Sequence, residues 1–175
     1  YAKWGDAVNI TSVNNISDKT YTGKEIKPAV TVKYNKTVLK AGTDYDVTYS
    51  SNKSIGVATA TIKGKGNYKG TIKKTFKINP KGTSISKLTA AKKAFTAKWN
   101  KQATQTTGYQ IRYSLKSSMG SSKTKTITSN KTLSKKVTGL KGKKKYYVQV
   151  RTYKTVGKTK YYSGWSAKKK VTTKK

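Results

Sequence analysis

Residues 139–153 read GLKGKKKYYVQVRTY. From Tyr146 onward the side chains alternate. Tyr146, Val148 and Val150 fall on one side, and Tyr147, Gln149, Arg151 and Tyr153 on the other. A period of two is the signature of a β-strand, and Gly139 and Gly142 mark a turn ahead of it. The same alternation recurs outward along the chain, in Tyr109-Ile111-Tyr113, Phe95-Ala97-Trp99, the run 71–78, the run 57–62, Tyr45-Val47-Tyr49 and the run 29–34. Turn residues punctuate these runs, at Gly42, Gly64–Gly70, Gly157 and Gly164. No stretch sustains a period of 3.6. Many short strands between such turns predict an all-β chain built as two tandem β-sandwiches.

The boundary falls where Pro80 ends the run 71–78, because proline cannot donate to a sheet ladder. This predicts domains at 1–79 and 80–175. Charge divides at the same place. Residues 1–80 hold 14 lysines and all five acids, a net charge of +9. Residues 81–175 hold 24 lysines, two arginines and no acid, a net charge of +26. Leucine, isoleucine, valine and phenylalanine supply 29 of 175 residues, few enough for such a charged chain to suggest disorder. Thirteen tyrosines and three tryptophans, placed in register with the alternation, argue instead for cores built on Tyr, Val and Ile.

These counts exclude most chemistry. The chain has no Cys and no His, so thiol nucleophiles, disulfides and the usual zinc sites are absent. The acids are Asp6, Asp18, Glu25, Asp44 and Asp46. Residues 47–175 therefore cannot carry the paired carboxylates of a glycosidase. The chain is read as a non-enzyme with no cofactor and no metal; Asp44 and Asp46 share a face but are too few for a calcium site. No run of about 20 apolar residues is present, so no membrane insertion is expected. GKGNYKG at 64–70 lacks a following helix pattern and reads as a hairpin turn, not a phosphate loop. The sequons at Asn9, Asn15, Asn35, Asn52 and Asn130 are discounted as products of composition.

Two resemblances cover most of the chain. Residues from about 84 to 173 resemble a fibronectin type III domain. The carriers are Trp99 in AFTAKWN, the pattern Tyr109, Ile111 and Tyr113 in GYQIRYS, and Leu140 six residues before Tyr146. The last implies a tyrosine corner, in which the Tyr146 hydroxyl bonds upstream backbone. Trp99, Tyr109, Tyr113, Leu140 and Tyr146 are thus expected to be structural. Residues from about 8 to 78 resemble a bacterial immunoglobulin-like repeat of surface proteins, through GTDYDVTYS and GVATATIKGKGNYKGTI. The pairing is similar to the tails of exported surface proteins of Gram-positive gut anaerobes. It implies an extracellular, cell-surface or cell-wall setting. The chain is separately expected to be a monomeric fragment of a larger protein.

Two sets of side chains are candidate binding residues. Lysines outnumber arginines 38 to 2, a profile for diffuse attraction to polyanions and not for bidentate base reading, so nucleic acid is not the expected partner. The clusters are Lys141, Lys143, Lys144 and Lys145 at the turn, and Lys168, Lys169 and Lys170 near the end. Whether they share a face is left open by the sequence. The second set is aromatic: Tyr153, Tyr161, Tyr162 and Trp165, with Tyr147 and Trp4, are expected to be at least partly exposed and available to stack on sugars. A structural role competes, with Trp165 lying over Arg151 as a cation–π pair. The expected function is a non-catalytic structural or adhesive module that spaces or tethers a larger protein, attracted to anionic cell-wall or host glycans. The alternative is a specific binding domain for a carbohydrate (starch, mucin or another glycan) or for a host glycoprotein such as immunoglobulin.

Overall fold

A computed structural model describes residues 6–175. The expectation for Trp4 lies outside the described residues. The chain divides into two compact units, the first ending at Ile78 and the second running Asn79–Lys175. Among the described residues every regular element is a strand.

The first unit holds β1 (Val8–Asn9), β2 (Ser12–Val13), β3 (Lys19–Thr20), β4 (Val32–Tyr34), β5 (Thr37–Val38), β6 (Tyr45–Ser50), β7 (Gly56–Gly64), β8 (Tyr68–Lys69) and β9 (Thr71–Asn79). They form a β2-β4-β5 sheet, a β3-β9-β7-β6 sheet and a parallel β1-β8 pair. The core between the sheets takes Val13 and Val32 from one, and Tyr45, Ala60 and Ile62 from the other. Residues 29–31, expected in a strand, stay outside the ladder. Tyr49 Oη donates to the preceding Pro28 O and Tyr45 Oη to Val30 O, while Thr31 N donates to Asn14 Oδ1 and Thr31 O accepts from Asn14 N at 3.1 Å. The 64–70 segment joins β7 to β9 through a turn, with Tyr68 N donating to Lys65 O at 3.1 Å and Gly66 at a φ of 63°, and it also carries β8.

The second unit holds β10 (Ile85–Ala91), β11 (Ala94–Trp99), β12 (Gly108–Ser114), β13 (Lys123–Ile127), β14 (Ser134–Val137), β15 (Lys145–Val156), β16 (Thr159–Tyr162) and β17 (Lys169–Thr172). One sheet runs β10-β11-β14. The other runs β13-β12-β15, and β15 is long enough to pair β17 along its first third and β16 along its last. The inward residues of both sheets meet in one core. Phe95 of β11 packs on Tyr113 and Tyr146 with ring centroids 5.8 and 6.4 Å apart, and Trp99 lies 5.4 Å from Tyr109. Offset and edge contacts of this kind suit the ring quadrupoles. Pro80 is buried, and Thr152 Oγ1 donates to Lys81 O at 2.6 Å, which ties the start of the unit to its longest strand.

Candidate functional site

The outer face of the β12–β15 pair has an unusual electrostatic problem. Two arginines point out of it, and the unit contains no carboxylate to meet them. The register sets Gln110 opposite Arg151 and Arg112 opposite Gln149. Each guanidinium then donates twice to the facing amide oxygen. Arg112 reaches Gln149 Oε1 at 2.9 and 2.7 Å, and Arg151 reaches Gln110 Oε1 at 3.0 and 2.7 Å. The planar guanidinium fork explains why arginine, and not another lysine, occupies these two positions. Aromatic rings complete the stack. Arg112 and Arg151 lie over the Trp165 ring at 4.4 and 4.3 Å, and Arg151 lies over Tyr162 at 3.9 Å. Burial lowers the pKa of both arginines, and the neighbouring Arg112 charge lowers that of Arg151 further.

Segment 163–166, between β16 and β17, holds Trp165 in place. Ser163 and Ser166 each use backbone N–H and hydroxyl together. Ser163 N donates to Thr152 O while Ser163 Oγ accepts from Thr152 N; Ser166 N donates to Val150 O while Ser166 Oγ accepts from Val150 N. The hydroxyls continue the ladder where the strand itself is interrupted. Trp165, Tyr161, Tyr162 and Tyr147 are half-buried.

Tyr153 corrects the expectation of exposure. Its relative exposure is 2 %. It does lie on the outer side of β15 by parity, but Tyr162 covers it with centroids 6.0 Å apart and Lys160 Nζ lies 5.3 Å from its ring. It offers no sugar-stacking face.

The turn into β15 is locked at both ends. Lys141 N donates to Tyr146 Oη at 3.0 Å. Thr173 Oγ1 donates to Lys141 O at 2.6 Å, and Lys143 N donates to Thr173 O at 3.1 Å. Trp99, Tyr109, Tyr113, Leu140 and Tyr146 all lie in the core.

Residues 79–168 match the family model of the fibronectin type III domain. The chain belongs to the fibronectin type III family. Among solved structures it is similar to the chicken CNTN1 FN1–FN3 domains, with a TM-score of 0.50 and 16% identity over 97% of this chain and 68% of that one. It is also similar to the fn3 domain of human contactin 1, with a TM-score of 0.48 and 17% identity over 55% of this chain and 81% of that one. At such identity the likeness concerns the fold alone. No curated protein matches the chain.

Within the fibronectin type III unit the two lysine clusters come together. β17 pairs the start of β15, with Lys170 opposite Tyr147 and Thr172 opposite Lys145. Lys145 and Lys170 therefore flank Tyr147 on the outer face, with Lys143 and Lys144 next in the turn. All are exposed. Lys168 Nζ donates to Ser117 O at 2.8 Å. Among the described residues the two ion pairs lie in the first unit, Lys27–Glu25 at 2.7 Å and Lys65–Asp46 at 2.9 Å. The candidate cation pair there is already engaged, because Asp44 Oδ2 also accepts from Lys40 N at 2.7 Å. No group of three or more metal-ligating side chains occurs among the described residues.

The sequence places Gln149 and Arg151 on the outer face and offers Trp165 as a partner of Arg151, but it does not point to Arg112 or Gln110. The missing signal was the pairing register of β12 with β15, which a single chain pattern does not carry.

Proposed function

We propose that this chain is a non-catalytic extracellular module of a bacterial surface protein, which spaces or tethers a larger protein by diffuse attraction to anionic polymers. The first unit is, on this reading, an immunoglobulin-like surface repeat. The observation that carries the proposal is the complete absence of acid from a fibronectin type III unit with 26 basic groups. Fibronectin type III domains are commonly extracellular structural or adhesive modules. Exposed lysines with no carboxylate within reach leave their charge uncompensated, and a polyanion gains by replacing the small counterions around them. The best-placed group is the β15–β17 cluster of Lys143, Lys144, Lys145 and Lys170. The competing sugar-platform reading is weakened by the loss of Tyr153 and by the guanidinium groups over Trp165 and Tyr162. Immobilised acidic and neutral glycans, compared at low and high salt, test the proposal. It expects retention on the acidic set alone, released by salt. Retention on neutral glycans that survives salt would overturn it.

A further inference from the structure

Strand β13 is an edge strand with lysines on the wrong side. Its register with β12 sets Ile127 opposite Tyr109, Lys125 opposite Ile111 and Lys123 opposite Tyr113. Ile127, Lys125 and Lys123 therefore share the face that Tyr109, Ile111 and Tyr113 turn to the core. Ile127 is buried there, but Lys125 and Lys123 are exposed. The reason is that the facing sheet stops short. β14 ends at Val137, and the chain then leaves through Thr138 and Gly139 into the turn. The sheets gape at this edge, and a cleft of about 520 Å³ opens between them. Tyr113, Leu140 and Tyr146 lie at the cleft, with Lys123, Lys125 and Lys141 among its lining residues. That volume is within the range of small-ligand sites, about 300–1,000 Å³.

The Tyr113 hydroxyl is the second, independent sign. Tyr113 is only 6% exposed. Core tyrosines normally pair their hydroxyls, as Tyr109 does with Gln102 and Asn130 and Tyr146 does with Lys141. Among the described residues Tyr113 Oη, like that of Tyr153, makes no hydrogen bond; Tyr113 differs in lining the cleft. It is also not sealed in, because Trp99 Nε1 is the one fully buried side-chain donor without a partner among the described residues. Its opening is the cleft it lines. Burial and the adjacent Tyr146 raise the Tyr113 pKa, which keeps the phenol a donor.

We propose that this cleft is a shaped site for a carboxylate-bearing sugar, with Tyr113 Oη donating to the sugar, Lys123, Lys125 and Lys141 holding its carboxylate, and the edges of Leu140, Tyr113 and Tyr146 forming its apolar floor. The proposal deepens the anionic-polymer reading and rests on it. The apolar floor favours a sugar over a phosphate chain, which has no C–H face to offer. Charge complementarity is one-sided, because the unit contains no acid to repel a carboxylate.

The test uses the whole chain and three probes: a short hyaluronan oligosaccharide, polyphosphate of matched charge, and a neutral cello-oligosaccharide. Binding is read by calorimetry and by amide NMR shifts. Tyr113→Phe should weaken hyaluronan binding about tenfold, the loss of a hydrogen bond to a charged or polar partner, while leaving the melting temperature unchanged. Lys123→Gln with Lys125→Gln should weaken it at least about tenfold more than the equal charge loss in Lys169→Gln with Lys170→Gln. Shifts should centre on 123–127 and 138–141. Equal losses from the two lysine pairs, or polyphosphate bound as tightly as hyaluronan, would overturn the cleft and leave diffuse attraction standing. In that case Lys123 and Lys125 serve only to blunt the edge strand against pairing. Loss of binding to every anionic probe in the unaltered protein would overturn both readings.

Discussion

Tyr146→Phe removes one oxygen atom and keeps the ring. The ring is buried against Phe95 and Tyr113, so packing is unchanged by the substitution. What goes is the acceptor for Lys141 N, 3.0 Å away. A typical hydrogen bond contributes about 0.5–1.5 kcal/mol net. Lys141 is exposed, so water can partly replace the lost partner, and the value should fall near the middle of that range, about 1 kcal/mol. In a domain of this size that corresponds to a fall of roughly 4–8 °C in Tm. Tyr147→Phe is the control. Tyr147 is half-buried on the opposite face and its hydroxyl makes no hydrogen bond among the described residues, so the change should cost less than about 0.5 kcal/mol. Denaturant unfolding followed by tryptophan fluorescence measures the difference, because Trp99 and Trp165 lie in this unit. Equal losses at the two positions, or a larger loss at Tyr147, would refute the assigned parity of β15, since a one-residue slip exchanges the two faces.

Three further outcomes follow from the same geometry. Trp165→Ala uncovers two guanidinium groups at once and should cost about 1–3 kcal/mol, measured by the same unfolding; a loss below about 0.5 kcal/mol would show that the amide oxygens alone hold the arginines. The fibronectin type III unit has only repulsive pairs between its charged side chains, so its Tm should rise as salt goes from about 0.01 to 0.1 M and the Debye length falls from about 30 to 10 Å; an unchanged Tm would mean the lysines are too far apart to interact. Burial, with Tyr146 and Tyr162 beside them, raises the pKa of Tyr113 and Tyr153. Such phenols contribute stability that is fully present below the ordinary tyrosine value of about 10 and lost as pH rises through the raised values. An absorbance titration of tyrosinate should therefore show a late-ionising fraction that Tyr113→Phe diminishes, and a single transition at the ordinary value would contradict it.

Legibility in the sequence tracked what alternation can encode. The face of β15 that carries Tyr146, Val148 and Val150 was readable because its apolar members repeat every second residue. Strands β13 and β14 were not, because KTKTI and SKKV have lysines where an alternating strand would show apolar residues. Lys123 and Lys125 of β13 line the cleft, which the strand pattern alone does not mark. Tyr153 failed for a related reason. Parity says to which side a residue points, and says nothing of whether Tyr162 and Lys160 will cover it. The joining of the two lysine clusters depended on the β15–β17 pairing, a contact distant in sequence and unmarked by composition. The ladder of Gln110, Arg112, Gln149 and Arg151 needed the β12–β15 register in the same way.

Lysine charge left without carboxylate partners makes binding to an acidic polysaccharide depend directly on salt. Affinity of the whole chain for hyaluronan, measured by calorimetry across a salt series, gives the slope of log K against log salt. If uncompensated lysine charge carries the binding, log K falls steadily as log salt rises, because screening weakens each lysine–carboxylate attraction. A slope near zero, with affinity undiminished at high salt, would contradict a function carried by uncompensated lysine charge.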